Sequence, residues 1–329
     1  IVAGDLAETV VLDDPTSGLV DDDSRQWFEA WAVGKLFAKT AGESASAARE
    51  QAEKRKRWLS LRNFLVGVGR VARANREEDL RTRRRILYEA IPFLESAENA
   101  GFPPGRMAQG YRILGESLFH VGRYDEAIDA MTIAVDQDPS LRRDLLPLLA
   151  ESQLKALAPL TDASLETIET YLSDRALAPE QRWEGQLIQL KAMIALGMWD
   201  RVNETIQREL RAQTELDFQQ QAVQGAYHDQ LRLLQSVAEV TRAIRRYGRY
   251  GELVDNGPQD RAARVAELSR SIERMSRLQR EAGPRLASQA RLWSARAYLV
   301  QGRSDDALNE LSAVSRQRPF GAEAIAGGL

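Results

Sequence analysis

Residues 108–139 read AQGYRILGESLFHVGRYDEAIDAMTIAVDQDP. Counted from Ala108, Tyr111 is at position 4, Leu114-Gly115 at 7 and 8, Leu118 at 11, Gly122 at 15, Tyr124 at 17, Ala127 at 20, Met131 at 24, Ala134 at 27 and Pro139 at 32. Apolar residues three and four apart on either side of Gly122 predict two amphipathic helices joined by a short turn. Gly115 and Ala127 are small where the two helices must approach closely. Tyr111, Leu118 and Met131 are bulky enough to fill the space between them. Pro139 has no N–H to give to a helical ladder, so the second helix is expected to stop there.

This pattern resembles the tetratricopeptide repeat, a 34-residue helix–turn–helix unit. The same frame fits 288–319, with Ala295 at position 8, Tyr298 at 11, Gly302 at 15, Ala307 at 20, Leu311 at 24 and Pro319 at 32, although Arg291 replaces the bulky residue at 4 and Trp293 follows two residues on. A looser copy starts at Trp183 and carries Met193, Gly197, Trp199, Val202 and Ile206. A looser one still covers 148–179, with Glu151 at 4, Thr167 at 20 and an insertion near Pro159. The resemblance covers about 106–212 and 285–319. It implies an all-α chain folded as a right-handed α-solenoid of antiparallel helix hairpins with an irregular superhelix, because one hairpin cannot bury its apolar face alone. A two-domain helical bundle is the alternative packing.

The rest of the chain is organised around these copies. Residues 1–23 are acidic and irregular, punctuated by Gly4, Pro15 and Asp21-Asp22-Asp23. Residues 24–105 are expected to be helical without a clear repeat: a helix capped by Ser24 with Trp27, Phe28, Trp31, Leu36 and Phe37, one from about 44 into the Val71 region, and one from about 76 to 99. The segment 101–105, Gly-Phe-Pro-Pro-Gly, is a break. Residues 106–212 hold the repeats, 213–282 a long hairpin of helices near 214–247 and 260–281 around a loop at 248–258, and 283–329 the last repeat. About thirteen helices are expected in all. The chain starts at Ile1 and stops in Ala-Gly-Gly-Leu329, and is read as a piece of a larger protein.

Of 329 residues none is cysteine and two are histidine, His120 and His228. Disulfides, thiolate metal sites and a cysteine nucleophile are excluded. No apolar run is long enough to span a bilayer. Gly67-Val-Gly69-Arg-Val-Ala72 matches a dinucleotide fingerprint, yet Trp58, Leu61, Leu65, Val68 and Val71 keep helical spacing through it, which favours close helix packing. Ser152-Gln-Leu-Lys155 matches S-x-x-K without its partner motifs. Asp21-Asp22-Asp23 lacks calcium-loop spacing. Neither histidine has a second one at i±4. No cofactor, no metal and no catalytic constellation is expected.

In the family, positions 2, 5, 9, 12 and 13 line a peptide groove. Here that implies Gln109, Arg112, Glu116, Phe119 and His120 in the first copy, and Gln289, Leu292, Arg296, Leu299 and Val300 in the last. The clamp some members close on a C-terminal carboxylate wants Lys at 5 and Asn at 9. Glu116 at 9 would repel that carboxylate, so a chaperone-tail receptor is disfavoured. The competing reading is that these residues pack against the next repeat.

Charge is near balanced, 45 basic against 48 acidic, but segregated. Residues 49–85 hold thirteen basic and five acidic groups, and 242–303 hold fourteen and six, whereas 86–241 hold thirteen and 24. The runs Lys54-Arg55-Lys56-Arg57 and Arg81, Arg83, Arg84, Arg85 form a candidate basic surface. Three readings stay open: a solvated face with internal salt bridges, a surface for anionic lipid head groups or nucleic acid, and head-to-tail self-association of basic on acidic segments. Few aromatics interleave the basic runs, so nucleic acid ranks below lipid. The expected function is a non-catalytic scaffold of bacterial type for a protein or peptide partner, possible as a membrane-coat-like or cell-envelope component, with the envelope favoured over the cytoplasm. A regulatory or substrate-recruiting segment of a larger enzyme is the alternative.

Overall fold

The computed structural model describes residues 45–211, 218–249, 252–253 and 258–316. The expected helix from Ser24, the acidic segment 1–23 and Pro319 lie outside them. The described chain is all-α: twelve α-helices, one short 3-10 turn and two two-residue strands. Contacts divide it into two compact units, 1–160 and 161–329. The division falls inside the 106–212 stretch that the repeat pattern groups as one, after the loop carrying the exposed Leu157 and Leu160.

The first unit contains α1 (Ala45–Arg76), α2 (Leu80–Ala100), α3 (Met107–Val121), α4 (Tyr124–Gln137) and α5 (Arg142–Lys155). Each helix packs on the next, and the odd helices also touch, α1 on α3 and α3 on α5. Helix α1 runs through both glycines of the fingerprint-like segment. Among the described residues no strand precedes them, and a Cβ on Gly67 would lie 2.6 Å from Leu94 Cδ2, so this glycine serves a helix crossing. The turn between α1 and α2 falls at 77–79, so the first helix ends later and the second starts later than expected. Asp79 fixes it by accepting from the Thr82 N–H at 2.9 Å and from the Thr82 hydroxyl at 2.6 Å. Phe64, Phe102 and Tyr111 form an edge-to-face ladder that ties α1, the 101–105 break and α3 together.

The second unit contains α6 (Thr161–Leu172), α7 (Pro179–Leu196), α8 (Trp199–Arg211), α9 (Phe218–Tyr247), α10 (Pro258–Glu281), α11 (Pro284–Val300) and α12 (Ser304–Arg316). Consecutive helices again pack, and α7 touches α9, which touches α11. The two-residue strands bridge the end of α9 to the chain leading to α10. One apolar cluster runs from Leu190 and Ile206 through Leu231 and Leu268 to Ala297.

Three hairpins share one turn. Gly122, Gly197 and Gly302, each at repeat position 15, have φ of 89°, 76° and 74°. In each, the N–H after the glycine reaches the carbonyl five residues back: Arg123 to Leu118, Met198 to Met193 and Arg303 to Tyr298, all at 2.9 Å. This left-handed C-cap satisfies carbonyls that the helix end leaves bare, and only glycine enters it without strain. Positions 20 and 24 are buried in the first two, at Ala127 and Met131 and at Val202 and Ile206. The third buries Ala307 at 20 but leaves Leu311 at 24 exposed to 38%. The loosest copy is out of register as first framed. Helix α5 stops at Lys155 and α6 starts at Thr161, so a frame from Leu148 would place the turn inside α6. A frame from Leu145 puts the buried Ser164, Ile168 and Tyr171 where Ala127, Met131 and Ala134 stand. In this frame no insertion is needed, and Pro159 stands at position 15 where the other copies have the glycine that marks the turn.

Burial, reinforced by Glu95 and Glu126, holds the Glu98 carboxyl above its usual pKa. Folding therefore takes up a proton there, and the penalty is present above the raised pKa and relieved as pH falls through it. Glu98→Gln should raise the denaturation midpoint at pH 7 and leave it unchanged near pH 4, read by thermal melts at both.

Candidate functional site

The expected groove residues of α3 do not share one role. Arg112 Nε donates to Glu116 Oε1 at 2.9 Å, and its Nη2 lies 3.5 Å from Asp144 on α5. Phe119 and Tyr124 sit under the Lys155 ammonium, at 5.7 and 5.4 Å, while that ammonium pairs with Glu151 at 2.8 Å. Positions 5, 9 and 12 thus meet the next odd helix in a half-buried, charge-paired face. Lys155 is turned to Glu151, and Ser152 is buried, so the S-x-x-K pair is not arranged as nucleophile and base. Gln109 accepts from Arg106 at 3.3 Å. His120 is partly exposed, with its ring edge-to-face on Phe119 at 5.4 Å. Burial of its packed side, and then Arg83, lower its pKa.

On α11 two of the expected groove positions belong to the core. Leu292 is 9% exposed and Val300 1%, because α9, α10 and α12 all pack on this helix. Gln289 is half-buried, and the Arg296 guanidinium lies over the Trp293 ring at 4.4 Å. Leu299 is 44% exposed. The repeat-packing residues Leu114, Gly115, Leu118, Ala127, Met131, Ala134 and Ala307 are buried; Tyr111 and Tyr124 are half-buried at the rim.

The basic runs also separate. Residues 50–57 are all exposed, so Lys54, Arg55, Lys56 and Arg57 ring a solvated end of α1, with Lys54 paired to Glu50 at 2.7 Å. Arg81 and Arg85 are exposed. Arg83 is half-buried and reaches Asn75 at 3.4 Å. Arg84 is not a free surface cation: its Nη2 donates to the Val121 carbonyl at 2.6 Å, beside the Tyr88 hydroxyl at 3.1 Å, and so caps the end of α3 at the Gly122 turn. Arg245 treats the second turn alike, donating to the Ala195 carbonyl at 2.6 Å while lying 5.4 Å from the Trp199 ring. Arg84→Glu should therefore cost about 1 kcal/mol of stability through a lost charged hydrogen bond. Arg81→Glu and Arg85→Glu should stay within about 0.5 kcal/mol of the parent, measured by urea denaturation.

A pocket of about 250 Å³ opens in the second unit between α7, α8 and α9. Its walls include Arg182, Trp183 and Gln186 from α7, Glu209 from α8, and Gln224, Tyr227 and His228 from α9. Trp183 stacks on Tyr227 with centroids 5.4 Å apart and planes 15° from parallel. The Tyr227 hydroxyl donates to Gln186 Oε1 at 2.8 Å, and burial, then Glu209, push its pKa up. Burial, then Arg232, hold the His228 pKa down. Arg182 is taken up by the carbonyls of Leu172 and Asp174 at 3.4 and 3.1 Å. The sequence contained these residues but no signal for their meeting: Trp183 opens a loose repeat, and His228 lies 45 residues later in a helix without repeat pattern.

Among the described residues there is no group of three or more His, Cys, Asp or Glu side chains that could hold a metal ion, and no helix is long and apolar enough to cross a membrane. No protein-family model, no curated protein and no solved structure matches the chain.

Proposed function

We propose that the chain is a non-catalytic protein–protein interaction scaffold, made of stretches of tetratricopeptide-like α-solenoid that offer the odd-helix face of their hairpins to a peptide or protein partner. The observation that carries this reading is the recurrence of one hairpin turn, with Gly122, Gly197 and Gly302 left-handed at the same repeat position. The contacts of α1, α3 and α5, and of α7, α9 and α11, support it, since a stacked array brings every first helix of a hairpin against the next first helix. The exposed parts of Gln109, Phe119 and the Arg112–Glu116 pair give α3 a mixed polar and aromatic face suited to an extended segment.

The test is panning of the whole chain against random displayed peptides. Selected peptides that protect α3 from hydrogen exchange should lose at least tenfold in affinity to Phe119→Ala and keep it with Arg85→Glu. Failure to select any peptide would contradict the reading.

A second reading rests on a separate feature. The ring of four cations at 54–57 suits an anionic membrane surface, where each cation near the surface contributes about 1 kcal/mol. Co-sedimentation with vesicles of rising anionic content should increase and should vanish when Lys54, Arg55, Lys56 and Arg57 are reversed to Glu. Arg84 must stay in place in that variant. This reading accords with a membrane-associated scaffold of the cell envelope, and absence of sedimentation at every composition would remove it.

A further inference from the structure

We propose that the pocket between α7, α8 and α9 is a recognition site for an arginine side chain of a partner peptide. This rests on the peptide-binding reading and names the chemistry of one of its sites.

The case begins with Glu209. Its side chain is 14% exposed, and a carboxylate so far out of water needs strong donors. Among the described residues it has two weak contacts. Arg208 Nε stands 3.4 Å away on a side chain that is 68% exposed, and the Tyr227 hydroxyl stands 3.5 Å away while giving its proton to Gln186 at the shorter 2.8 Å. The carboxylate thus keeps acceptor capacity at the wall of an open pocket.

The other walls select among cations. Trp183, held flat against Tyr227, offers indole surface next to the acid. A guanidinium is planar, stacks on aromatic rings and makes paired N–H bonds to a carboxylate, whereas an ammonium does only part of this. Arg182 keeps its charge, but its guanidinium is held by the carbonyls of Leu172 and Asp174, and burial, then Arg232, disfavour the charged form of His228. The volume of about 250 Å³ lies below the roughly 300–1,000 Å³ of small-molecule clefts and suits a single side chain.

The experiment uses the whole chain and four blocked tripeptides, acetyl-Gly-X-Gly-amide with X as Arg, Lys, Leu or Glu, followed by ligand-observed NMR. The Arg peptide is expected to bind at least tenfold more tightly than the Leu and Glu peptides and severalfold more tightly than the Lys peptide. Glu209→Gln, which keeps shape, should lower its affinity at least tenfold. Gln186→Glu, which keeps the acceptor for Tyr227 and adds a second carboxylate, should raise it. Circular dichroism of both variants should match the parent. Equal binding of the Arg and Glu peptides, or indifference to both substitutions, would overturn the site. If panning yields peptides but the Arg tripeptide fails here, this site falls alone. If panning also yields none, the scaffold reading falls with it.

Discussion

Met131→Ala is expected to remove about 2–5 kcal/mol of stability from the first unit, the range for truncating a fully buried methionine. Met131 is 0% exposed and is the side chain against which Gly115 is packed. A Cβ on Gly115 would come within 2.6 Å of Met131 Cγ and 3.2 Å of the Met131 backbone nitrogen. Gly115→Ala alone should therefore destabilise by about 1–3 kcal/mol through overpacking, against a helix-propensity gain of about 1 kcal/mol that it cannot realise. In the double variant the new methyl enters the space left by Met131. The two costs should then sum to less than their separate values, with a coupling of at least about 0.5 kcal/mol. Urea denaturation followed by hydrogen exchange in α3 and α4 measures this cycle. Strict additivity would mean that the two residues do not face each other.

The second large effect is at Tyr227. It is 4% exposed, belongs to the apolar cluster of the second unit and supports Trp183. Tyr227→Ala should cost about 3–5 kcal/mol, the range for removing a buried aromatic ring. Tyr227→Phe keeps the stack and loses only the hydroxyl bond to Gln186, so about 1 kcal/mol is expected. Hydrogen exchange should show both losses concentrated in α7, α8 and α9. A Tyr227→Ala variant as stable as the parent would contradict the packing assigned to this helix.

These two sites illustrate what a linear reading reaches. The register of 108–139 was legible because close approach demands small residues. Gly115, Ala127 and Ala134 mark it, and Gly122 marks the only backbone conformation that forbids most side chains. The helices α9 and α10 were legible from their length and the loop between them. The register of the copy near 148–179 was missed because Pro159, not glycine, stands at position 15 of the frame from Leu145, so nothing marks the turn between α5 and α6. Arg84 reads as one more cation in a basic run, because its partner is a backbone carbonyl 37 residues away that has no sequence signature. Leu292 reads as groove lining because family positions assume one neighbour on each side, whereas α11 is covered by three helices. The pocket at Glu209 joins three helices, and only tertiary packing brings its acid to its aromatic pair.

The Arg84 and Arg245 contacts also bear on how charge should be tested. Each places a guanidinium on the end of an odd helix at its glycine turn, so the basic residues of this chain are partly a device of hairpin closure. Charge reversal across a whole run would mix loss of a surface with loss of a turn. Within the two basic runs, the exposed cations at 54–57, with Arg81 and Arg85, report on a surface without that loss.

The central claim, that the odd-helix face binds a peptide, is tested most directly by hydrogen–deuterium exchange of the whole chain with and without a peptide selected by panning. The account predicts added protection in α3 and α5, or in α7 and α9, with α4 and α8 unchanged outside their turns. Protection confined to α4 or α8, or none at a peptide concentration that saturates binding, would contradict it.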